Sequence, residues 1–197
     1  VLEQFFTWRR DEKKGEVGFD EAKDFCLKKF EAFWNEGPLT GDRYYRISLE
    51  RKKMEAMIVE ILRAELIDEK LPIAGLVPAY FEYEFQDLIL KGETREIPLR
   101  GKIDRIDIDP AKKYALVIDY KTGETFRLGS LENGTSLQLP LYLIATQEKL
   151  GLKPLGGHLY SLSKAKSSGF HHQDHLNEAG LITKKRNLFH GEEFEKL

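Results

Sequence analysis

Cysteine is nearly missing from this chain of 197 residues: there is one, Cys26. A single thiol excludes an internal disulfide framework and any cluster ligated by cysteines of this chain. It suits a reducing compartment and predicts a cytoplasmic location, with Cys26 itself a buried helix residue. No apolar run approaches the ~18 residues of a membrane span, and no segment has the layout of a signal peptide. Net charge is also small, with 31 Lys and Arg against 33 Asp and Glu. There is thus no global basic signal for nucleic acid, although a local groove beside an acidic metal site needs none. Internal repeats and low-complexity tracts are absent. The first residue is Val1, not Met, which reads as an excised or processed piece with something upstream.

What is present divides into a helical part and a strand-rich part. Residues 1–12 read as the end of a helix. Phe19, Ala22, Cys26, Phe30 and Phe33 recur at helical spacing, with Asn35, Gly37 and Pro38 as the stop. Residues 43–68 form a longer helix with Met54, Met57, Ile58, Ile61 and Leu62 as its core stripe. After breakers between Leu71 and Pro78, Tyr80–Phe85 alternates aromatic and acidic residues, the period of a strand. Strands are also expected over 97–108 and 114–120, making an antiparallel meander. Residues 129–134 read as loop and 136–150 as a helix stopped by Gly151. A fourth strand over 155–162 would then lie parallel to the third through a right-handed crossover. The expected organisation is one compact unit over 1–197: a helical region 1–70, an α/β core 76–163 and a polar tail 164–197. The tail reads as loop plus a marginal helix, partly disordered.

The chemistry concentrates in Gly101-Lys102-Ile103-Asp104-Arg105-Ile106-Asp107 and Val117-Ile118-Asp119-Tyr120-Lys121-Thr122-Gly123. Aspartate is depleted in strands, yet both β-branched runs carry it. Residues two apart share a strand face, so Asp119 and Lys121 project together. Mg²⁺ usually takes one or two carboxylates, with water and substrate phosphate filling the remaining positions. Asp104 and Asp119 can supply the pair, and the Tyr120 carbonyl a third oxygen. Lys121 could orient or help deprotonate a water, or stabilise charge on an attacked phosphate. These are the parts needed for phosphodiester hydrolysis.

Together with Gln138-x-x-x-Tyr142, these motifs resemble the nuclease core of the PD-(D/E)XK superfamily. They are most similar to the branch containing the RecB and AddB nuclease domains of bacterial double-strand-break repair. The resemblance covers roughly residues 78–162. It implies an α/β, restriction-endonuclease-like fold, a mixed central sheet flanked by helices, with the helical region before it. It implies a metal-dependent DNA nuclease domain, exonuclease action on DNA ends, and a larger helicase–nuclease or repair complex as partner. By resemblance, Asp104 and Asp119 ligate Mg²⁺ or Mn²⁺ and Lys121 is the catalytic lysine. Gln138 and Tyr142 lie beside the site to orient DNA or the lysine. Glu82 sits where the branch often has a glutamate on the first core strand. Active members of the branch also carry a histidine on an upstream helix, within Gly-x-x-x-His. No histidine precedes His158 here, and Val1–Phe6 resembles the residues that follow that histidine. The ligand is therefore expected upstream of Val1.

Several residues have plainer readings. Asp107 alternates out of phase with Asp104 and reads as a structural hydrogen-bond acceptor or surface charge. Glu82 is balanced between the site and a solvated strand face, and Glu84 reads as surface. His171, His172 and His175 read as solvent-exposed loop, not a zinc site. Lys164, Lys166, Lys184, Lys185 and Arg186 read as phosphate contacts or solvated surface. Two rival functions stay open: a nuclease-fold DNA-binding or scaffold domain with impaired catalysis, and a protein-interaction module docking through its helical third.

Overall fold

Helical periodicity in the first third becomes three helices: α1 (Leu2–Asp11), α2 (Phe19–Glu36) and α3 (Tyr44–Leu66). The structure is a computed structural model that describes residues 1–13, 16–36, 44–67, 73–92, 95–123, 126–183 and 187–195. Within it the chain divides into two units, Val1–Leu71 with Leu162–Lys166, and Pro72–Ser161 with Ser167–Leu197. In the helical unit, Ala22, Cys26 and Phe30 of α2 and Ile58, Ile61 and Leu62 of α3 are buried. Trp8 of α1 stacks on Phe25 of α2 at 4.3 Å. The expected stripes are narrower than read: Phe33 is 71% exposed and Met54 42%. Each lies at the rim of its stripe, where solvent and not core meets the helix. Burial pushes the Cys26 thiol up to about 12, which leaves it an inert small hydrophobe.

The second unit is built on a six-stranded sheet in the order β1-β2-β3-β4-β5-β6. Its strands are β1 (Val77–Lys91), β2 (Glu96–Ile108), β3 (Tyr114–Lys121), β4 (Lys153–Ser161), β5 (Lys166–His172) and β6 (Leu188–Phe189). The expected meander is there, with β1–β2 and β2–β3 antiparallel. The crossover is there too: β3 and β4 pair in parallel, as do β5 and β6. Between β3 and β4 lie α4 (Leu128–Glu132), where a loop was expected, and α5 (Gln138–Leu150). Gly151, at φ 67°, closes α5 in the left-handed conformation that glycine adopts without a Cβ penalty. The core face carries Ile106, Ile108, Ala115 and Val117 against Leu139 and Leu143 of α5. Lys149 of α5 also donates to the Asp87 carbonyl of β1 at 2.9 Å.

Two expectations about local structure fail. Simple alternation along Tyr80–Phe85 is interrupted, because Glu82 sits at φ 50°. A second irregularity falls between Phe85 and Leu88, with Asp87 at φ 55°. The polar tail is not loop plus a marginal helix. It contains β5, the helix α6 (Gln173–Ala179), β6 and the short helix α7 (Gly191–Glu195). His171 and His172 are buried at 0% and 6% exposure, so the solvent-exposed reading of those two is wrong. Polar partners lie inside the fold: His171 Nε2 lies 2.9 Å from His158 Nε2, His158 Nδ1 bonds Ser167 Oγ, and His172 Nδ1 accepts the His175 N–H at 3.4 Å. Histidines with such partners can occupy a core. Lys164 and Lys166 are exposed, whereas Lys184, Lys185 and Arg186 lie outside the described residues. Among the described residues, no helix is long and apolar enough to cross a membrane.

Candidate active site

The β2–β3 ladder pairs Arg105 with Ile118. Continuing that register by one residue sets Asp104 across from Asp119. Asp104 Oδ2 accepts the Tyr120 N–H at 2.7 Å, which binds the first carboxylate to the strand carrying the second. Asp119 is 2% exposed, and its Oδ2 lies 2.8 Å from Lys121 Nζ. The i, i+2 spacing on β3 thus brings a carboxylate and an ammonium into direct contact.

Gln138 opens α5 and joins these groups. Its Oε1 accepts from Lys121 Nζ at 2.9 Å. Its Nε2 donates to Asp119 Oδ1 at 2.7 Å and to Tyr142 Oη at 2.9 Å. The amide's two protons and its oxygen are all used, which fixes the side chain in one orientation. Tyr142, one turn on, packs edge-on against Phe85 with ring centroids 6.2 Å apart. Phe85 in turn lies over Gly101, where an added Cβ would come within 2.7 Å of the ring. Gly101 therefore seats the aromatic that supports Tyr142, a packing role its place at the head of the motif does not announce.

Asp104, Asp119, Lys121, Gln138 and Tyr142 form this connected group, with the Tyr120 backbone in it. Glu82 stands apart: it is ion-paired with Lys102, although its charge is felt at Asp104. Burial pushes the Asp104 carboxyl above the usual carboxylate range, the Tyr120 N–H opposes the rise and Glu82 adds to it. Burial works against the charge on Lys121, but the hydrogen bond and charge of Asp119, with Asp104, hold it above the ordinary lysine value. Lys121 is therefore an ammonium at neutral pH. Asp107 is the structural acceptor expected of it, receiving Arg105 Nε at 2.6 Å and Nη2 at 2.8 Å in a buried pair. Arg105, fully buried, is the residue that sequence reading passed over. Its signal was the Arg-x-Asp spacing, which puts both side chains on one face of β2.

Among the described residues, no group of three or more His, Cys, Asp or Glu side chains could hold a metal ion. A cation here would rest on Asp104 and Asp119, with phosphate and solvent completing its shell. Two carboxylates from adjacent strands, one deeply buried, are a donor set that suits Mg²⁺ or Mn²⁺.

The chain is also similar to known proteins. Two curated relatives are each named as a subunit of an ATP-dependent helicase/deoxyribonuclease. The one from Symbiobacterium thermophilum is 35% identical over 118 residues, spanning 56% of this chain and 10% of the relative. The one from Lactococcus lactis subsp. lactis is 31% identical over 129 residues, spanning 52% of this chain and 12% of the relative. The chain therefore spans only about a tenth of the length of either relative. A family model for the PD-(D/E)XK nuclease superfamily matches residues 1–195. Because that match takes in the helices as well as the sheet, it is the chain at large, and not its Asp-x-Lys strand alone, that belongs to the PD-(D/E)XK nuclease superfamily.

Proposed function

We propose that this chain is the nuclease domain of a cytoplasmic DNA repair helicase–nuclease and cuts phosphodiester bonds at DNA ends. The observation that carries the reading is the single amide of Gln138 holding Asp119 and Lys121 together. Asp104 and Asp119 would hold the divalent cation, Mg²⁺ or Mn²⁺, with the Tyr120 carbonyl as a third oxygen. A cation held there would supply positive charge beside the phosphate and make water easier to deprotonate.

The chain's own residues do the rest. Lys121, kept protonated by Asp119, stabilises the negative charge that builds on the attacked phosphate. Gln138 and Tyr142 fix where the ammonium sits, so the charge meets the phosphate without reorganisation. Glu82 tunes Asp104 through its charge instead of joining the group. Helicase or other repair-complex subunits or domains are the expected partners.

The test is degradation of linear and circular DNA, single- and double-stranded, in Mg²⁺ or Mn²⁺. Lys121→Ala is expected to cut at least about 100-fold more slowly than wild type, the scale of losing one charge-stabilising donor. Cleavage by Lys121→Ala at the wild-type rate contradicts the reading.

A further inference from the structure

Asp119, Tyr120 and Lys121 lie beyond the last pair of the β2–β3 ladder, Arg105 with Ile118. On their other side these three residues stay paired with Leu159, Tyr160 and Ser161 of β4, but no ladder pair joins them to β2, the strand that carries Asp104. Two consecutive residues of β2 reach across instead, and both grip Tyr120. Asp104 takes its backbone N–H at 2.7 Å. Arg105 Nη1 donates to its phenol oxygen at 3.2 Å. Arg105 cannot swing away, because Asp107 binds its Nε and Nη2 in a bidentate fork and its side chain is 0% exposed. Tyr160 of β4 closes the phenol's other side, ring to ring at 5.5 Å and 68°.

We infer that Arg105 is a positioning residue for the metal-and-lysine site: clamped by Asp107, it holds Tyr120 and so fixes Asp119 and Lys121 relative to Asp104. The inference rests on the nuclease reading above. Stability alone does not account for the pair, since buried ion pairs commonly do no better than apolar groups of the same volume. Placement does, because small misplacements of catalytic groups are costly to rate.

Two variants of the full-length protein test the clamp. Tyr120→Phe removes only the phenol oxygen. Arg105→Leu with Asp107→Leu removes both charges of the pair together. Both are expected to keep a melting midpoint near wild type. In the metal-free protein, the amides of residues 119–121 exchange about 10-fold faster in either variant. Mn²⁺ affinity, read by calorimetry, falls about 5-fold, and kcat on linear DNA falls about 10-fold with KM within about twofold. A folded Tyr120→Phe with wild-type exchange, Mn²⁺ affinity and kcat overturns the clamp, whether or not the double variant folds. Wild-type protein that neither binds Mn²⁺ nor cleaves DNA overturns the nuclease reading, and the clamp with it.

Discussion

Gln138 explains why a short polar motif can define a site. A glutamine four residues before a tyrosine is unremarkable on a helix, yet here its amide spans Asp119, Lys121 and Tyr142. Asp104 and Asp119 stood out because aspartate is out of place in β-branched runs, and Lys121 because it shares a strand face with Asp119. Glu82 did not, since alternation alone gives it equal claims to site and solvent. In the structure it is ion-paired with Lys102, and its charge adds to the rise at Asp104. Burial first, and Glu82 after it, raise the Asp104 carboxyl. Asp104 thus loses its charge at a higher pH than an ordinary aspartate as the solution is acidified, and in the proposed site a cation would lose that ligand with it. Glu82→Gln removes a negative charge and releases Lys102, two changes of the same sign. The pH midpoint of Mn²⁺ binding is therefore expected to move down, as measured by calorimetry between about pH 4 and 7, above the ordinary aspartate range. A midpoint that stays put or rises argues against this coupling.

Strands and helices were legible where their apolar period was clear, as in β2, β3 and α5. β5 was not, because it buries Ser167, His171 and His172 and has no apolar alternation to read. A strand whose polar groups find partners inside the fold looks like a loop in sequence. Its closeness to β4 is the other hidden feature. A Cβ on Gly169 would stand 2.1 Å from the Gly157 carbonyl, and one on Gly156 2.1 Å from that of Phe170. Backbone cannot yield as a side-chain tip can. Gly169→Ala is expected to cost about 3 kcal/mol in urea unfolding, the upper range for overpacking. A loss under about 1 kcal/mol would mean that the two strands have more room than this.

At the scale of the molecule, the order meander, helix, parallel strand placed the carboxylates, the lysine and the Gln-x-x-x-Tyr helix on one side of a mixed sheet. The meander and the parallel crossover followed from period and connection handedness, and the sheet has both; the place of the Gln-x-x-x-Tyr helix beside the carboxylates came only with the family resemblance. The Arg105–Asp107 pair behind β3 did not follow. Sequence gives strand faces, but not which buried charges meet or what they hold. At the centre of the proposed chemistry are two carboxylates binding one cation in reach of Lys121. Titration of Mn²⁺ into wild type and Asp119→Ala tests this most directly. Wild type is expected to bind the ion and Asp119→Ala to show no binding, and equal binding by both proteins contradicts the metal site.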